Sequence, residues 1–404
     1  MRLLPFRYAV RNLGRSPTRL VLAVSGSAFV VLLILVAGGF VRGMTRALGA
    51  TGSEHNVILL GAGSEDSVER SEILASVPGI VAASVPGIRV RAGVPYLSPE
   101  VHVMLPVTTP GPPSPDAGQA ASPRRQALVR GVTHGATLVH DSVSLVEGRW
   151  PRTGQDEVLV GRMAPTVLGL PPADLAVGRS IVFGETRWTI VGTFTAPGTA
   201  VEAELWVPLT DLTTVTKRET ISCVVLTLDP YNTDTGEGAE VADVDAFSRT
   251  RPDLELAVIP ERAYYGKLAD FFGPVRTVVW VTASLVATGG LFGGLTIMYA
   301  AFASRIRELG TLQSIGYRRV ALLLSMIQES TLATASGGLV ACAVALFACD
   351  GLAVRFSMGA FGLVIDERVV SLGLAAGLLL GVVGAVPPAI RCLRPAISVA
   401  LKAV

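Results

Sequence analysis

Residues 20–41, 277–304 and 369–390 run without a single charged side chain, and arginines bracket each stretch (Arg19/Arg42, Arg276/Arg305, Arg368/Arg391). A helix needs about 20 mostly apolar residues to cross the hydrocarbon core of a bilayer, so each stretch predicts a transmembrane helix. A fourth lies between Arg319 and Asp350, where Glu329 interrupts the run and leaves residues 330–349 clean. The four predicted spans are 20–42, 275–303, 320–349 and 369–390. The first run exceeds the roughly 7 to 15 apolar residues of a signal peptide and lacks a small-x-small cleavage site, so it reads as an uncleaved anchor.

Between the first two spans, residues 43–274 change pattern often enough to predict a separate α/β domain. Strands are expected at 56–60, 221–228 and 254–259. Helices are expected at 67–77, ended by Pro78-Gly79, and at 240–250 and 261–272. Two strand–helix–strand pieces thus flank a mainly β insertion, residues 141–214, with strands 157–160, 180–183 and 188–194 about the turn Gly184-Glu185-Thr186. The fold class is a four-helix membrane protein with a large α/β extracytoplasmic domain, a split βαβ part plus the β insertion. Residues 108–123, rich in Pro, Gly and Ala, predict a flexible loop.

Composition agrees with the pattern: 50% of the 404 residues are hydrophobic, 16% are charged, and mean hydropathy is +0.53. The net charge of +2, from 34 basic and 32 acidic residues, argues against a nucleic-acid binder. The placement of charge is more informative. Residues 1–19 carry five arginines, 304–319 carry four, and 391–404 carry three basic residues, against one acid, Glu308. The 43–274 segment carries 18 basic and 27 acidic residues, and the loop 350–368 two and three. By the positive-inside rule both termini and 304–319 are cytoplasmic; 31 Arg against 3 Lys, with many Ala, Gly and Pro, suggest a GC-rich bacterial genome and so a bacterial cytoplasmic (inner) membrane.

Several chemistries are missing. There is no phosphate-binding G-x-x-x-x-G-K-[ST] loop, since Gly266-Lys267 is followed by Leu268. G-x-S-x-G, H-E-x-x-H and Cys-x-x-Cys are absent as well. His134 and His140, six apart, suit neither a helical metal pair nor a hairpin of ligands, and with His55 and His102 they read as surface or satisfied residues. No metal is expected. Cys223, Cys342, Cys349 and Cys392 make no disulfide framework. Glu329 is the one acid near a span; it reads either as an intramembrane functional group or as an interfacial partner of Arg318 and Arg319.

Two cytoplasmic segments look mechanical. Leu3, Phe6, Val10 and Leu13 form one face of an amphipathic helix, with Arg7, Arg11 and Arg15 on another, and Ser16-Pro17 marks the turn into the first span. After the second span, Ile306, Leu309, Leu312 and Ile315 recur every three residues, with Gly310 and Gly316 allowing close approach and a turn. Such a helix suits a groove on a partner protein. In the second span, Gly289, Gly290, Gly293 and Gly294 form a candidate packing stripe.

Arg305, Arg307, Glu308, Leu309, Gly310, Leu312, Ile315, Gly316 and Arg319 follow a pattern resembling R-x-R-E-[IL]-G-x-L-x-x-[LI]-G-x-x-R. That pattern is similar to the MacB/FtsX-type permeases of ABC transporters, which include the LolC and LolE lipoprotein-releasing subunits. Glu329, Arg394-Pro395-Ala396 and the stretch from Gly148-Arg149-Trp150 to Val191-Gly192 also resemble the family. Gln313 stands where Arg is frequent and Tyr317 where a small residue is usual, which implies an altered partner contact at Tyr317.

No ATPase domain is expected before the first span, unlike MacB itself, so the resemblance implies a non-catalytic subunit. A separate P-loop ABC ATPase would carry ATP and Mg. Residues 305–319, Arg318 included, would form the coupling helix on that ATPase. It further implies a homodimer or a heterodimer with a paralogous permease, in the lipid bilayer, with an extracytoplasmic accessory protein. The expected function is export or release of a lipoprotein, peptide or drug. Alternatives are an FtsX-like signal transducer acting on a cell-wall hydrolase and a membrane-anchored binding protein without energy coupling.

Overall fold

A computed structural model describes residues 6–15, 17–109, 124–230, 238–356 and 359–401. Leu3, Ser16 and residues 110–123 of the expected loop fall outside these, and only the backbone is described for Phe6, Arg7 and Arg19. The chain divides into two units, one of 1–43, 274–352 and 363–404, the other of 44–273 and 353–362.

Four helices are long and apolar enough to cross a membrane, Leu20–Ala50, Gly273–Ala303, Arg319–Cys349 and Glu367–Leu393, and they lie in the first unit except for residues 44–50 and Gly273, which belong to the second. The N-terminal helix of the first unit, Phe6–Leu13, contacts the third span, where the Asn12 amide meets Glu329; Ala9 and Asn12 are buried, while Val10 is exposed. Between spans two and three a short helix covers Ile306–Ser314. The last turn of span three widens to a π-helix at Ala345–Cys349.

The second unit is built on one ten-stranded sheet. Four antiparallel strands, in the order Leu256–Pro260, Asn56–Gly61, Cys223–Thr227 and Leu97–Val107, carry the helices Val77–Ser84 and Val241–Thr250 in the connections. Each strand–helix–strand piece therefore leaves room for a strand of the other between its own two, the split βαβ arrangement. The β insertion continues this sheet instead of folding apart. Arg125–Val132 pairs with Leu97–Val107, then follow Leu205–Pro208, Glu157–Gly161, Thr186–Thr195 and Ser144–Gly148, with the tenth strand, Ser180–Phe183, also paired to Thr186–Thr195. One face buries the main core, among it Val57, Leu59, Val101, Val129, Leu205 and Leu226. Each such side chain contributes about 1.5–3 kcal/mol by leaving water.

Two local expectations change. Residues 67–77 form no α-helix but a single 3-10 turn, Val68–Arg70, and a short strand, Ile73–Leu74. The helix begins at Val77, because Pro78 lacks an N–H and fits a first turn, so it starts the helix instead of ending one. The loop between spans three and four is not a plain connection. Ala353–Phe356 and Gly359–Gly362 pair as a hairpin of the α/β unit, with Ala360 packed against Val167 and Ala203.

Candidate functional site

The helix Ile306–Ser314 ends in a glycine-dependent turn. Gly316 has φ +103, in the region open to glycine. The Gly316 N–H donates to the Gln313 carbonyl (3.0 Å) and the Tyr317 N–H to that of Leu312 (3.1 Å), which is a Schellman cap. Gly310 serves a different need: a Cβ there would meet the Ala400 Cβ at 3.0 Å, so its absence lets the C-terminal helix Ile397–Ala400 pack close.

The apolar stripe is not a free docking face. Leu309 is buried with Phe302, Leu322, Met326, Ala389 and Leu393, and Ile306, Leu312 and Tyr317 pack on the same cluster. A stripe at spacing three turns toward the nearest apolar surface, and here the chain supplies its own. What remains exposed from Ile306 to Arg319 is Arg307, Thr311, Ser314, Ile315 (67%), Gly316, Arg318 and Arg319. Tyr317 thus meets its own bundle first.

Beneath this helix the charged residues form one cluster. Arg305 pairs with Glu308 (3.0 Å) and Glu329 (3.1 Å) and donates to the Tyr8 hydroxyl (3.2 Å), which in turn donates to Glu308 (3.3 Å). Arg15 pairs with Glu308 at 2.9 Å, and the Asn12 amide donates to Glu329. The partner of Glu329 is therefore Arg305, not Arg318 or Arg319. A helix rises 1.5 Å per residue, which leaves Arg319 about 15 Å away along the same span, whereas Arg305 enters from a neighbouring segment. Burial works against the Arg305 charge, but Glu329 and Glu308 outweigh it and hold its pKa above the ordinary value. Burial would likewise raise Glu308, yet Arg305 and Arg15 keep it below the usual carboxylate range. The cluster ties the N-terminal helix, the helix Ile306–Ser314 and span three together.

Two family matches bear on this architecture: the MacB-like periplasmic core domain over residues 20–237, more than half of the chain, and the FtsX-like permease C-terminal domain over 280–397. The chain belongs to the MacB/FtsX-type ABC transporter permease family. Among solved structures, the periplasmic region of MacB from Actinobacillus actinomycetemcomitans is 13% identical, covering 53% of this chain and 92% of that one with a TM-score of 0.37. The extracellular domain of the noncanonic ABC-type transporter YknZ from Gram-positive bacteria is 13% identical, covering 50% and 99%, with a TM-score of 0.34. No curated protein sequence matches the chain.

In this permease the glycines that hold spans together are not those expected in span two. Beside Gly289, Gly293 and Gly294 the chain leaves open space; only Gly290 is pressed against a neighbour, Val30 of span one. Span two is the least buried of the four. The close contacts run instead through Gly337 of span three, against Val24, Ser27 and Ala28, and through Gly373, Gly377 and Gly381 of span four, against Leu35, Val31 and Thr331/Thr334. In lipid, helices gain from close backbone approach, which small residues permit. The four-residue spacing of Gly373, Gly377 and Gly381 was a readable signal for this seam.

Sequence reasoning also missed a buried ionic network in the α/β unit of the permease. Glu100 accepts hydrogen bonds from His102 (3.1 Å), Arg130 (2.9 Å) and His140 (2.7 Å). Arg130 grips Glu204 with two bonds of 2.7 and 2.6 Å and lies over the Trp206 ring at 5.5 Å. Period-two alternation explains the grouping: Glu100 and His102 share one face of their strand while Val101 turns to the main core. Glu100, His102 and Cys223 offer three ligand atoms within 4.8 Å of one another. The Arg130 guanidinium already sits on the Glu100 oxygen that His102 meets, and its charge opposes a dication there.

His140 makes this network pH-sensitive. Burial opposes its charge, but Glu100 and then Glu261 raise its pKa above the ordinary value, so the folded state holds the proton more tightly than the unfolded chain. That contribution to stability is complete below the unfolded histidine value of about 6.5 and is lost as pH rises through the folded one. Glu100, held well below its ordinary range despite burial, acts oppositely: its contribution is lost only as pH falls through its folded-state value. The unfolding temperature of the full chain is therefore expected to fall as pH rises above about 6.5. In His140→Gln that decline should vanish; an unchanged slope would remove His140 as its source.

Proposed function

We propose that this permease transmits ATP-driven motion from a separate P-loop ATPase subunit to its α/β domain, exporting or releasing a substrate such as a lipoprotein, peptide or drug. Two permease copies, or one with a paralogue, work with two ATPases, and the ATP and Mg sit on those partners. Both termini and residues 304–319 face the cytoplasm and the α/β domain the other side, as the basic residues beside the spans favour.

The observation that carries the reading is the way the helix Ile306–Ser314 is mounted. Arg305, Glu308 and Glu329 fasten it to span three and to the N-terminal helix, and Leu309 fixes its apolar side in the bundle. A partner pressing on Arg307, Ile315, Arg318 and Arg319 moves a braced lever instead of a loose loop. The push biases the spans between two arrangements, which is what coupling requires.

The test is a mild-detergent pull-down of the tagged chain, with mass spectrometry and an ATPase assay. A P-loop ATPase is expected near one-to-one. Ile315→Asp should cut its recovery about tenfold, since an exposed apolar anchor of about 1.4 kcal/mol is lost, with the unfolding temperature unchanged. Glu308→Arg should lose both partner and stability, because it places a third cation beside Arg305 and Arg15. A wild-type chain that elutes without an ATPase sinks the proposal and leaves an anchored binding protein; co-elution of a cell-wall hydrolase would favour signal transduction over transport.

A further inference from the structure

The α/β unit contains a cavity of about 640 Å³, within the size range of sites for small organic molecules. Much of its wall is aromatic. Tyr264 and Tyr265 meet edge-on at 5.3 Å between ring centres. Phe271, Phe272, Phe356 and Phe361 touch in succession at 5.4, 5.1 and 6.3 Å. Met44, Leu48 and Leu128 add aliphatic surface.

The charges around the cavity are of two kinds. Arg130 and Glu204 reach it but satisfy each other, with Glu100 and Trp206 completing their bonds. Asp66, Arg70 and Lys267 also line it, but they are exposed and remain hydrated, and Glu65 accepts a hydrogen bond from the Gly63 N–H at 3.2 Å. Glu69 belongs to neither group. It is half-buried and makes no hydrogen bond or ion pair among the described residues. Burial and the nearby negative charge of Glu204 raise its pKa, and the neighbouring Arg70 charge offsets this only in part. A carboxyl group partly withdrawn from water without a partner is costly, and a cation placed beside it would relieve that cost. Aromatic faces attract cations as well, most strongly where water is excluded.

We propose that this cavity binds a hydrophobic organic cation, with the charged centre beside Glu69 and the apolar body against the tyrosine and phenylalanine wall. The acid and the rings select the sign of the charge, and the volume admits a bulky apolar body. The inference stands on the cavity and not on ATPase coupling, so each can fail without the other.

Tetraphenylphosphonium and tetraphenylborate have nearly the same shape and opposite charge, which makes them suitable probes. Binding would be measured by equilibrium dialysis on the full chain in phosphatidylcholine nanodiscs, with empty nanodiscs subtracted. The cation is expected to bind saturably, one per chain, and the borate not to bind above the empty-disc level. Glu69→Gln should weaken cation binding about tenfold while leaving the unfolding temperature unchanged, and Phe271→Ala, at an exposed ring, should weaken it as well. Phosphonium uptake no greater than in empty nanodiscs, equal affinity for both ions, or affinity unchanged in Glu69→Gln would each overturn the proposal.

Discussion

Arg130→Met is expected to destabilise the permease by about 3 to 5 kcal/mol, because it leaves the buried Glu100 and Glu204 carboxylates without their shared cation. Both acids are almost fully buried, and Arg130 supplies Glu204 with both guanidinium bonds and Glu100 with one of its three. Burial alone disfavours the Arg130 charge, but Glu204 and Glu100 reverse this and hold its pKa well above the ordinary value. Trp206 lies over the lost guanidinium, so its fluorescence during thermal unfolding is a direct readout. The loss should be much smaller when Glu100→Leu and Glu204→Leu accompany Arg130→Met, since an apolar replacement of the whole set removes the orphaned charges. A single-variant loss below about 1 kcal/mol would show that water reaches these acids.

Gly337→Leu is expected to prevent the four spans from packing at all. An added Cβ at this position would strike the Val24 carbonyl, the Ser27 hydroxyl and the Ala28 N–H of span one. These are mostly backbone atoms that cannot swing aside, so the helices must separate along their length, and dispersion contacts are what hold helices together in lipid. The measurement is the yield of monodisperse protein after detergent extraction together with its unfolding temperature; a wild-type profile for Gly337→Leu would refute the seam. Gly293→Leu, where the chain leaves open space, should fold normally. If Gly293→Leu instead changes only the oligomeric state, the span-two glycines belong to an interface between chains.

The elements most legible in the sequence were those with a local, periodic signal. Uncharged runs revealed all four spans, because a bilayer core excludes charge wherever it falls. Alternation gave the strands Ser180–Phe183 and Thr186–Thr195 closely, and the helix Val241–Thr250 starts at a capping box formed by Glu240 and Asp243. Residues 67–77 misled because their composition suits a helix while Pro78 fixes the start at Val77, a choice made by one ring and not by an average. The hairpin Ala353–Phe356/Gly359–Gly362 was hidden for another reason: its strands are four residues each, too short for a period to register.

For the candidate site the division falls between residue type and partner. Arg305, Glu308, Leu309, Gly310 and Gly316 stand out in one dimension because a short charged helix with two glycines contrasts with the apolar spans on either side. Which side of that helix is free could not be read there, since Leu309 is buried by Phe302, Met326 and Leu393 from three other segments. In the same way Glu329 found Arg305, Arg130 found Glu204, and Gly337 found Ser27 across long stretches of chain. Membrane insertion, element type and family pattern are properties of neighbouring residues and of the solvent each segment requires, so the order of amino acids carries them. Ion-pair partners, the glycine seam and the cavity beside Glu69 depend on distances between segments remote in sequence, and those exist only once the chain has packed.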